Sequence, residues 1–226
     1  MNSSRINNIL AIILIPLFLI AIYLVFYYAP VEQILGFSQK IFYFHVPLAW
    51  NGLLGFTIVF VASIAYLRTQ KKIYDIVAHS AAEIGIIFTT LVLITGPIWA
   101  KPAWGTWWTW DVRLTTTLVL WLLYVGYFML ANSVEEEGKR GRFSAVYGVI
   151  AFIDVPLVFF SIRWWNSIHP VIFNTPSSGG MQLDPQMKVA FFFSLFVFTV
   201  LFAVLMTLRI KLGKAEEDLI QLKEGS

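Results

Sequence analysis

The sequence predicts an all-α, polytopic integral membrane protein with six transmembrane helices. Of its 226 residues, 58% are hydrophobic and 13% are charged, whereas an ordinary soluble domain is roughly 45 to 50% apolar and about 25% charged. Six segments of about 20 mostly apolar residues are each long enough to cross a hydrocarbon core of roughly 30 Å. The basic residues also concentrate in alternate loops, as is typical of membrane proteins with several spans.

The six predicted spans cover, in order, about residues 9–29, 46–67, 74–99, 114–132, 143–162 and 188–209. The first is expected to be a retained helix, because its apolar run exceeds the roughly 7 to 15 residues of a signal-peptide core. Gly96 and Pro97 are expected to break the third helix where the next loop begins. Residues 1–213 would form one membrane domain, and residues 214–226 a short charged cytoplasmic tail at a solvated helix end.

The distribution of Lys and Arg predicts the orientation of the chain. Eleven basic residues fall before the first span, in the second and fourth loops and after the last span, and five fall in or beside the first, third and fifth loops. Because positive charge favours the cytoplasmic side, both termini are predicted to be cytoplasmic. The odd-numbered loops would then lie on the outer face.

Composition and motifs exclude several classes of site. Cysteine is absent, which rules out disulfides, thiolate metal sites and a covalent c-type haem attachment sequence. The net charge of +3 comes from scattered residues rather than a basic patch, so nucleic acid is not an expected partner. The sequence contains no Walker A, GxSxG, HExxH or helix-opening GxGxxG motif, so an ATP-driven pump would need a separate ATPase chain.

The third loop, at about residues 100–113, contains the segment WGTWWTWD, residues 104–111. Tryptophan is common in the aromatic belts of membrane proteins, but a belt would scatter these residues over several helix ends. Indole faces and N–H groups gathered beside Arg113 and Lys101 favour a platform for a large, flat, apolar ligand with anionic groups. Haem with its two propionates fits that description. The expected platform residues are Trp104, Trp107, Trp108, Trp110, Asp111 and Arg113.

Two of the three histidines are predicted on the same face as the tryptophans. His45 lies just ahead of the second span and His169 just beyond the fifth, after the tryptophan pair of residues 164 and 165 that could extend the aromatic wall. A lone loop histidine is usually an ordinary polar residue. Because imidazole is a standard axial ligand of haem iron, two histidines beside one tryptophan-rich loop predict a haem site.

Two further polar residues lie within predicted spans. His79 is flanked at i−4 and i+4 by Asp75 and Glu83, so the three share one helix face. They could bind a metal or relay protons, but fastening helices or contacting a partner is the favoured interpretation. Asp154, near the middle of the fifth span, must face the bundle interior or a polar partner. The role of Asp154 is left open.

Several motifs together resemble one family. TGPIWAKPAWGTWWTWDVRLT, residues 95–115, resembles the WWD signature of haem-handling proteins. The chain length, the six spans, KIFYFHVPLAW, AHSAAEIG and SIRWWNSIHP are similar to the CcmC family, the haem exporter protein C of cytochrome c maturation. The resemblance covers nearly the whole chain. The longer CcmF proteins and the CcsA-type synthases fit less well.

The resemblance implies a bacterial inner-membrane protein, or in some eukaryotes a mitochondrial one, that presents haem at the outer face. Such proteins deliver haem to the chaperone CcmE and associate with the ABC transporter subunits CcmA and CcmB and with the small membrane protein CcmD. The two functional histidines of the family correspond to His45 and His169. Its platform corresponds to Trp104, Trp107, Trp108, Trp110 and Asp111.

Other functions stay open at this stage. A haem lyase would itself form a covalent bond to haem, and it would depend on positioning the haem vinyl group beside the partner's nucleophile. An electron-transfer subunit with non-covalent b-type haem would more often carry its histidines within the spans. A generic permease would bind no haem.

Overall fold

The computed structural model describes residues 3–165, 167–169 and 183–224. Within these ranges the only β pairing is an isolated bridge between Glu32 and Gly36, and six helical segments are long and apolar enough to cross a membrane. The predicted fold class is therefore confirmed, whereas the orientation stays a prediction. The helices are α1 (Ser3–Tyr23), α2 (Phe42–Thr69), α3 (Lys72–Trp104), α4 (Val112–Ser133), α5 (Glu137–Ala151), α6 (Asp154–Trp164) and α7 (Pro185–Glu224).

The first helix lies against the last one. Phe18 of α1 meets Phe198 of α7 edge to face, with ring centroids 5.6 Å apart. α1 continues as a π-helical turn, Leu24–Tyr28, and a 3₁₀ turn, Phe37–Ile41, leads into α2. Lys40 is buried in this turn, where its ammonium group donates hydrogen bonds to the backbone carbonyls of residues 29 and 30. These bonds fix the first loop against the start of α2.

The pair α2 and α3 forms the centre of the bundle. The two helices approach closely at Gly55, where an added Cβ would lie 3.1 Å from the carbonyl oxygen of Ala81 and 3.2 Å from the Cα of Gly85. Small residues at such a crossing are typical of helix packing in membranes. Next to them, the ring of Phe56 stacks on Tyr124 of α4 with centroids 3.7 Å apart. This contact joins α4 to the central pair.

Two predicted helix ends are wrong. α2 begins at Phe42, so His45 lies inside this helix and not in the loop ahead of it. α3 continues through Gly96 and Pro97 to Trp104, because a helix in a membrane protein tolerates glycine and proline where neighbouring groups satisfy the backbone. The loop between α3 and α4 is consequently short, and it contains residues 105–111.

The fifth span, predicted as one helix, consists of α5 and α6 with a turn at Phe152 and Ile153 between them. Pro156 has no backbone N–H to donate to the carbonyl of Phe152, so an unbroken helix could not be fully hydrogen-bonded here. In the first turn of α6 this missing donor costs little. Asp154 begins α6 and is buried, and its Oδ2 has no hydrogen-bond partner among the described residues.

The last helix, α7, extends well beyond its predicted span. Its 40 residues correspond to a length of about 60 Å at 1.5 Å per residue, roughly twice the thickness of the hydrocarbon core. The guanidinium of Arg209 contacts Glu83 of α3 at 2.6 Å, and Lys72 contacts Glu217 at 3.5 Å. The predicted tail is helical as far as residue 224, and residues 225 and 226 lie outside the described part.

Candidate ligand-binding site

A cavity opens at the end of the bundle that holds the short tryptophan-rich loop, which we call the tryptophan end. Its walls come from α2, α3, α4 and α6, and most of the lining side chains are apolar. The space between the lining atoms is about 870 Å³ when the open mouth and the solvent in it are included. The cavity brings together five of the predicted site residues: His45, Trp104, Trp108, Arg113 and His169.

His45 reaches the cavity from the first turns of α2. The side chain is buried, with 7% of its surface exposed, and its Nδ1 lies 2.8 Å from the hydroxyl of Thr95 on α3. The imidazole also packs against Gly96, where an added Cβ would lie 3.4 Å from its Cε1, and against the indole of Trp99 at 6.0 Å between centroids. The ring is thus held between two helices.

His169 reaches the same cavity from the segment that follows α6. Its ring meets the indole of Trp104 edge to face, with centroids 6.4 Å apart. Its backbone N–H donates to the hydroxyl of Ser167 at 3.1 Å. The two histidines therefore approach the cavity from different elements, one helical and one not.

Asp111 does not line the cavity, and its carboxylate instead connects two segments. Oδ1 accepts hydrogen bonds from the backbone N–H of Arg113 at 3.0 Å and from the hydroxyl of Ser167 at 2.9 Å, and Oδ2 accepts from the backbone N–H of Ile168 at 3.1 Å. The first bond caps the N-terminus of α4, where a carboxylate is favoured. The other two attach the segment that carries His169.

The four tryptophans of the loop region divide into two pairs. Trp104 and Trp108 line the cavity, whereas Trp107 and Trp110 do not and are 56% and 76% exposed. Trp110 contacts Trp108 edge to face at 5.9 Å, so the exposed pair adjoins the lining pair. Trp99, not among the predicted platform residues, is also a lining residue and is buried.

The basic residues and the second tryptophan pair also differ in position. Arg113 lines the cavity. Lys101 is exposed, and its ammonium group donates to the carbonyl of Gly105 at 2.9 Å, just past the end of α3. Trp164 and Trp165 are largely exposed and do not line the cavity. Of the two cations considered for anionic groups, the structure places only Arg113 at the cavity.

Two buried indole N–H groups have no hydrogen-bond partner in the described part of the chain. They are Nε1 of Trp99 and Nε1 of Trp108, and both residues line the cavity. Buried donors are nearly always paired in native proteins. Free donors in the same cavity as Arg113 are thus suited to a ligand that brings its own acceptor atoms, such as carboxylates.

Thr95 and Gly96 also belong to the site, although the sequence did not predict them there. Both were expected to lie at the broken end of a helix, yet they form the wall of α3 that faces His45. Thr95 and Gly96 lie about one helical turn before Trp99, and on a continuous helix this spacing would have placed all three on one face. Because the helix was predicted to break at Gly96 and Pro97, that relationship was not predicted.

His79 lies at the opposite end of the bundle. Its predicted neighbours pair elsewhere: Asp75 contacts Lys72 at 3.3 Å, and Glu83 contacts Arg209. The imidazole of His79 meets Phe128 of α4 edge to face at 4.9 Å. Acidic and basic residues of α3 and α7 do join the two helices here, but His79 itself contributes ring packing.

These features define a multi-pass, all-α membrane protein with a ligand cavity of histidine, tryptophan and arginine at one end of its bundle. Comparison with known sequences identifies the family. The model of the family described as CcmC, heme exporter protein C, matches residues 1–222. The chain belongs to this family.

Individual relatives agree with this assignment. The chain is 36% identical over 177 residues to the heme exporter protein C of Bradyrhizobium diazoefficiens, covering 78% of this chain and 67% of the relative. It is 36% identical over 188 residues to that of Escherichia coli, covering 82% and 74%. A putative cytochrome c biosynthesis ccmC-like mitochondrial protein of Marchantia polymorpha is 33% identical over 196 residues, covering 85% and 82%.

Proposed function

We propose that this protein binds haem in the cavity at the tryptophan end and delivers it to the haem chaperone CcmE during cytochrome c maturation. Membership of the heme exporter protein C family and a relative named for cytochrome c biosynthesis support the pathway. One observation carries the proposal: His45 and His169, predicted together as iron ligands, line the same cavity.

The chemistry of the cavity matches the parts of haem. Imidazole nitrogens are standard ligands of haem iron, and the indoles of Trp104 and Trp108 offer flat apolar surface to the porphyrin. Arg113 is the candidate partner for a propionate, since guanidinium binds carboxylates through two parallel hydrogen bonds. The free Nε1 donor of Trp108 can supply a further bond. Haem held in this way is bound without covalent attachment.

The exposed tryptophans suggest where the acceptor docks. Trp107 and Trp110 present large indole surfaces outside the cavity, and aromatic residues are enriched at protein interfaces. They belong to the same short loop as Trp108, which lines the cavity. In this proposal Trp108 of the loop and Trp104 at the end of α3 hold the porphyrin, and Trp107 and Trp110 contact the chaperone.

The same proposal places the protein in the bacterial inner membrane, with the tryptophan end outward and both termini in the cytoplasm. There it would assemble with CcmA, CcmB and CcmD, the other components expected of a haem exporter complex. Because the chain has no cysteine, single cysteines at the exposed positions Val31 and Ser133, at opposite ends of the bundle, can report the orientation. An impermeant maleimide added to spheroplasts should label the first and not the second, and the reverse result would overturn the orientation.

Haem binding is tested with the purified protein. Wild type should show the absorption spectrum of ligated haem, and His45→Ala and His169→Ala should each change or abolish it. His79→Ala should leave the spectrum unchanged, since His79 lies at the other end of the bundle. A protein without haem affinity, or one in which only His79→Ala changes the spectrum, would contradict the site.

Delivery is tested by adding purified CcmE to the haem-loaded protein. Haem should leave the membrane protein and appear on the chaperone. If haem stays bound while it is reduced and reoxidised, the protein is an electron-transfer subunit instead. If the covalent bond to the chaperone forms only in the presence of this protein, and not with free haem, the lyase alternative is favoured.

A further inference from the structure

The geometry points to Thr95 as a positioning residue that sets the tautomer of His45, so that Nδ1 carries the proton and Nε2 is free to bind iron. This inference rests on the proposed haem site, since it explains how one of its two ligands is prepared. Thr95 lies on α3, and its hydroxyl contacts the imidazole of His45. It is proposed to act through His45 and not to touch haem itself.

The direction of the hydrogen bond follows from counting hydrogens. The hydroxyl of Thr95 lies 2.8 Å from Nδ1 of His45 and 2.7 Å from the carbonyl oxygen of Leu91. A hydroxyl has one hydrogen to donate and two lone pairs to accept with, and a carbonyl oxygen can only accept. Thr95 therefore donates to Leu91, and Nδ1 must donate to Thr95. Neutral imidazole that is protonated at Nδ1 has its lone pair at Nε2.

The protein contains the same arrangement with an unambiguous donor. Five residues earlier on α3, the hydroxyl of Thr90 accepts a hydrogen bond from Nε1 of Trp121 at 2.8 Å and donates to the carbonyl oxygen of Ile86 at 2.7 Å. An indole nitrogen is only ever a donor. The matching distances at Thr95 support the same direction, in which an aromatic N–H donates to a threonine that bonds its own helix.

The other ring nitrogen of His45 has the free position that a ligand needs. Nε2 makes no hydrogen bond within the described ranges, although Nδ1 does. Cε1, between the two nitrogens, faces Gly96, where an added Cβ would come within 3.4 Å. The ring of His45, which belongs to α2, is thus held against α3 by Thr95 and Gly96. The side chain of His45 also lines the cavity. In metal sites, the bond made by the second nitrogen commonly fixes both tautomer and orientation.

The neutral partner also has a chemical consequence. A carboxylate that accepted the hydrogen bond from Nδ1 would raise the basicity of the imidazole as a ligand. A hydroxyl that already donates its own hydrogen to a carbonyl raises this basicity less. His45 is therefore oriented without being made a very strong iron ligand. That combination suits a site that must release its cargo.

The tautomer can be measured in the haem-free protein. The full chain, labelled with ¹⁵N at histidine and held in lipid nanodiscs, contains only three histidines, which single His→Ala variants assign. We expect the Nδ1-protonated pattern of ¹⁵N shifts for His45 in wild type and in Thr95→Ser, and loss of this pattern in Thr95→Val. Thr90→Val is the matched control and should leave it unchanged. The Nε2-protonated form in wild type would overturn the inference.

Haem titration supplies a second, independent readout. Thr95→Val should weaken haem binding by about 10-fold to 100-fold, the usual effect of losing such a partner, whereas Thr95→Ser should restore affinity and Thr90→Val should match wild type. In a His45→Ala background, Thr95→Val should have no further effect. If His45→Ala itself does not weaken binding, the proposed site fails. If it does and Thr95→Val does not, only the role of Thr95 fails.

Discussion

The carboxylate of Asp111 accepts a hydrogen bond from the hydroxyl of Ser167 at 2.9 Å, across 56 positions of the chain. Asp111 caps α4, while Ser167 belongs to the segment that contains His169. The acidic residue of the WWD-like motif thus acts on the second histidine without lining the cavity itself. Its expected role in the platform is better described as holding the loop and the His169 segment together.

Asp111→Ala should weaken haem binding by about 10-fold to 100-fold, as removal of a residue that orients a ligand commonly does. It should also destabilise the protein by roughly 1 to 3 kcal/mol, since three hydrogen bonds to a carboxylate are lost. Haem titration and thermal unfolding measure the two effects.

Glu32→Ala is the matched control for this change. The carboxylate of Glu32 accepts backbone hydrogen bonds from Ile34 and Leu35 in the first loop, so its loss should affect stability and not haem affinity. Equal haem affinity in wild type and Asp111→Ala would show that the contact with Ser167 does not position His169.

Trp108→Ala and Trp110→Ala should separate binding from delivery. Trp108 lines the cavity and Trp110 is 76% exposed, so the first change should lower haem affinity and the second should leave it near that of wild type. Trp110→Ala should instead slow the transfer of haem to the chaperone, measured by mixing the two purified proteins. A loss of haem affinity in Trp110→Ala as large as in Trp108→Ala would contradict this division.

Arg113→Gln should remove the preference for charged propionates. A hydrogen bond to a charged group contributes roughly 1.5 to 3 kcal/mol, which corresponds to about 10-fold to 150-fold in affinity. Wild type should therefore bind haem more tightly than its dimethyl ester, and the variant should bind both alike.

The control for Arg113 is Arg163→Gln. Arg163 is exposed at the same end of the bundle, where its guanidinium lies over the ring of Phe159 at 5.6 Å, and it does not line the cavity. This variant should keep the wild-type preference for haem over its ester. If Arg163→Gln abolishes the preference and Arg113→Gln does not, the propionate partner has been assigned to the wrong arginine.

Gly85→Ala should destabilise the central helix pair. An added Cβ would lie 2.7 Å from the Cε1 of Phe56, a buried ring that is already stacked on Tyr124, and overpacking of this kind costs about 1 to 3 kcal/mol. Thermal unfolding in detergent should show a lower midpoint. Gly138→Ala is the control, because no atom lies within 4 Å of the new Cβ, and it should be neutral or slightly stabilising. An equal loss of stability in both variants would argue against close packing as the cause.

The number of spans, and the end of the bundle that holds the two histidines, could be predicted because they depend on simple properties. Apolar length determines which segments can cross a bilayer, and the alternation of spans then places His45 and His169 at one end with the tryptophans. The structure then shows that the two histidines line a single cavity.

The errors concern places where tertiary context overrides a local rule. Gly96 and Pro97 lie within α3 although both residues disfavour helix, as is tolerated in the helices of membrane proteins. Trp107 and Trp110 cannot be distinguished from Trp108 by composition, since only the path of the loop decides which indoles face inward. The contacts of Asp111 and Thr95 join residues on separate elements, which periodicity does not reveal.

The two histidines are carried by different kinds of element. His45 belongs to a 28-residue helix and is hydrogen-bonded to a second one. His169 lies outside the helices and follows α6, which has 11 residues and is separated from α5 by a turn. In the proposed site, one ligand would therefore come from the helical core and the other from a segment joined to the tryptophan loop through Asp111, so a partner that moves this loop would act on His169 without moving His45.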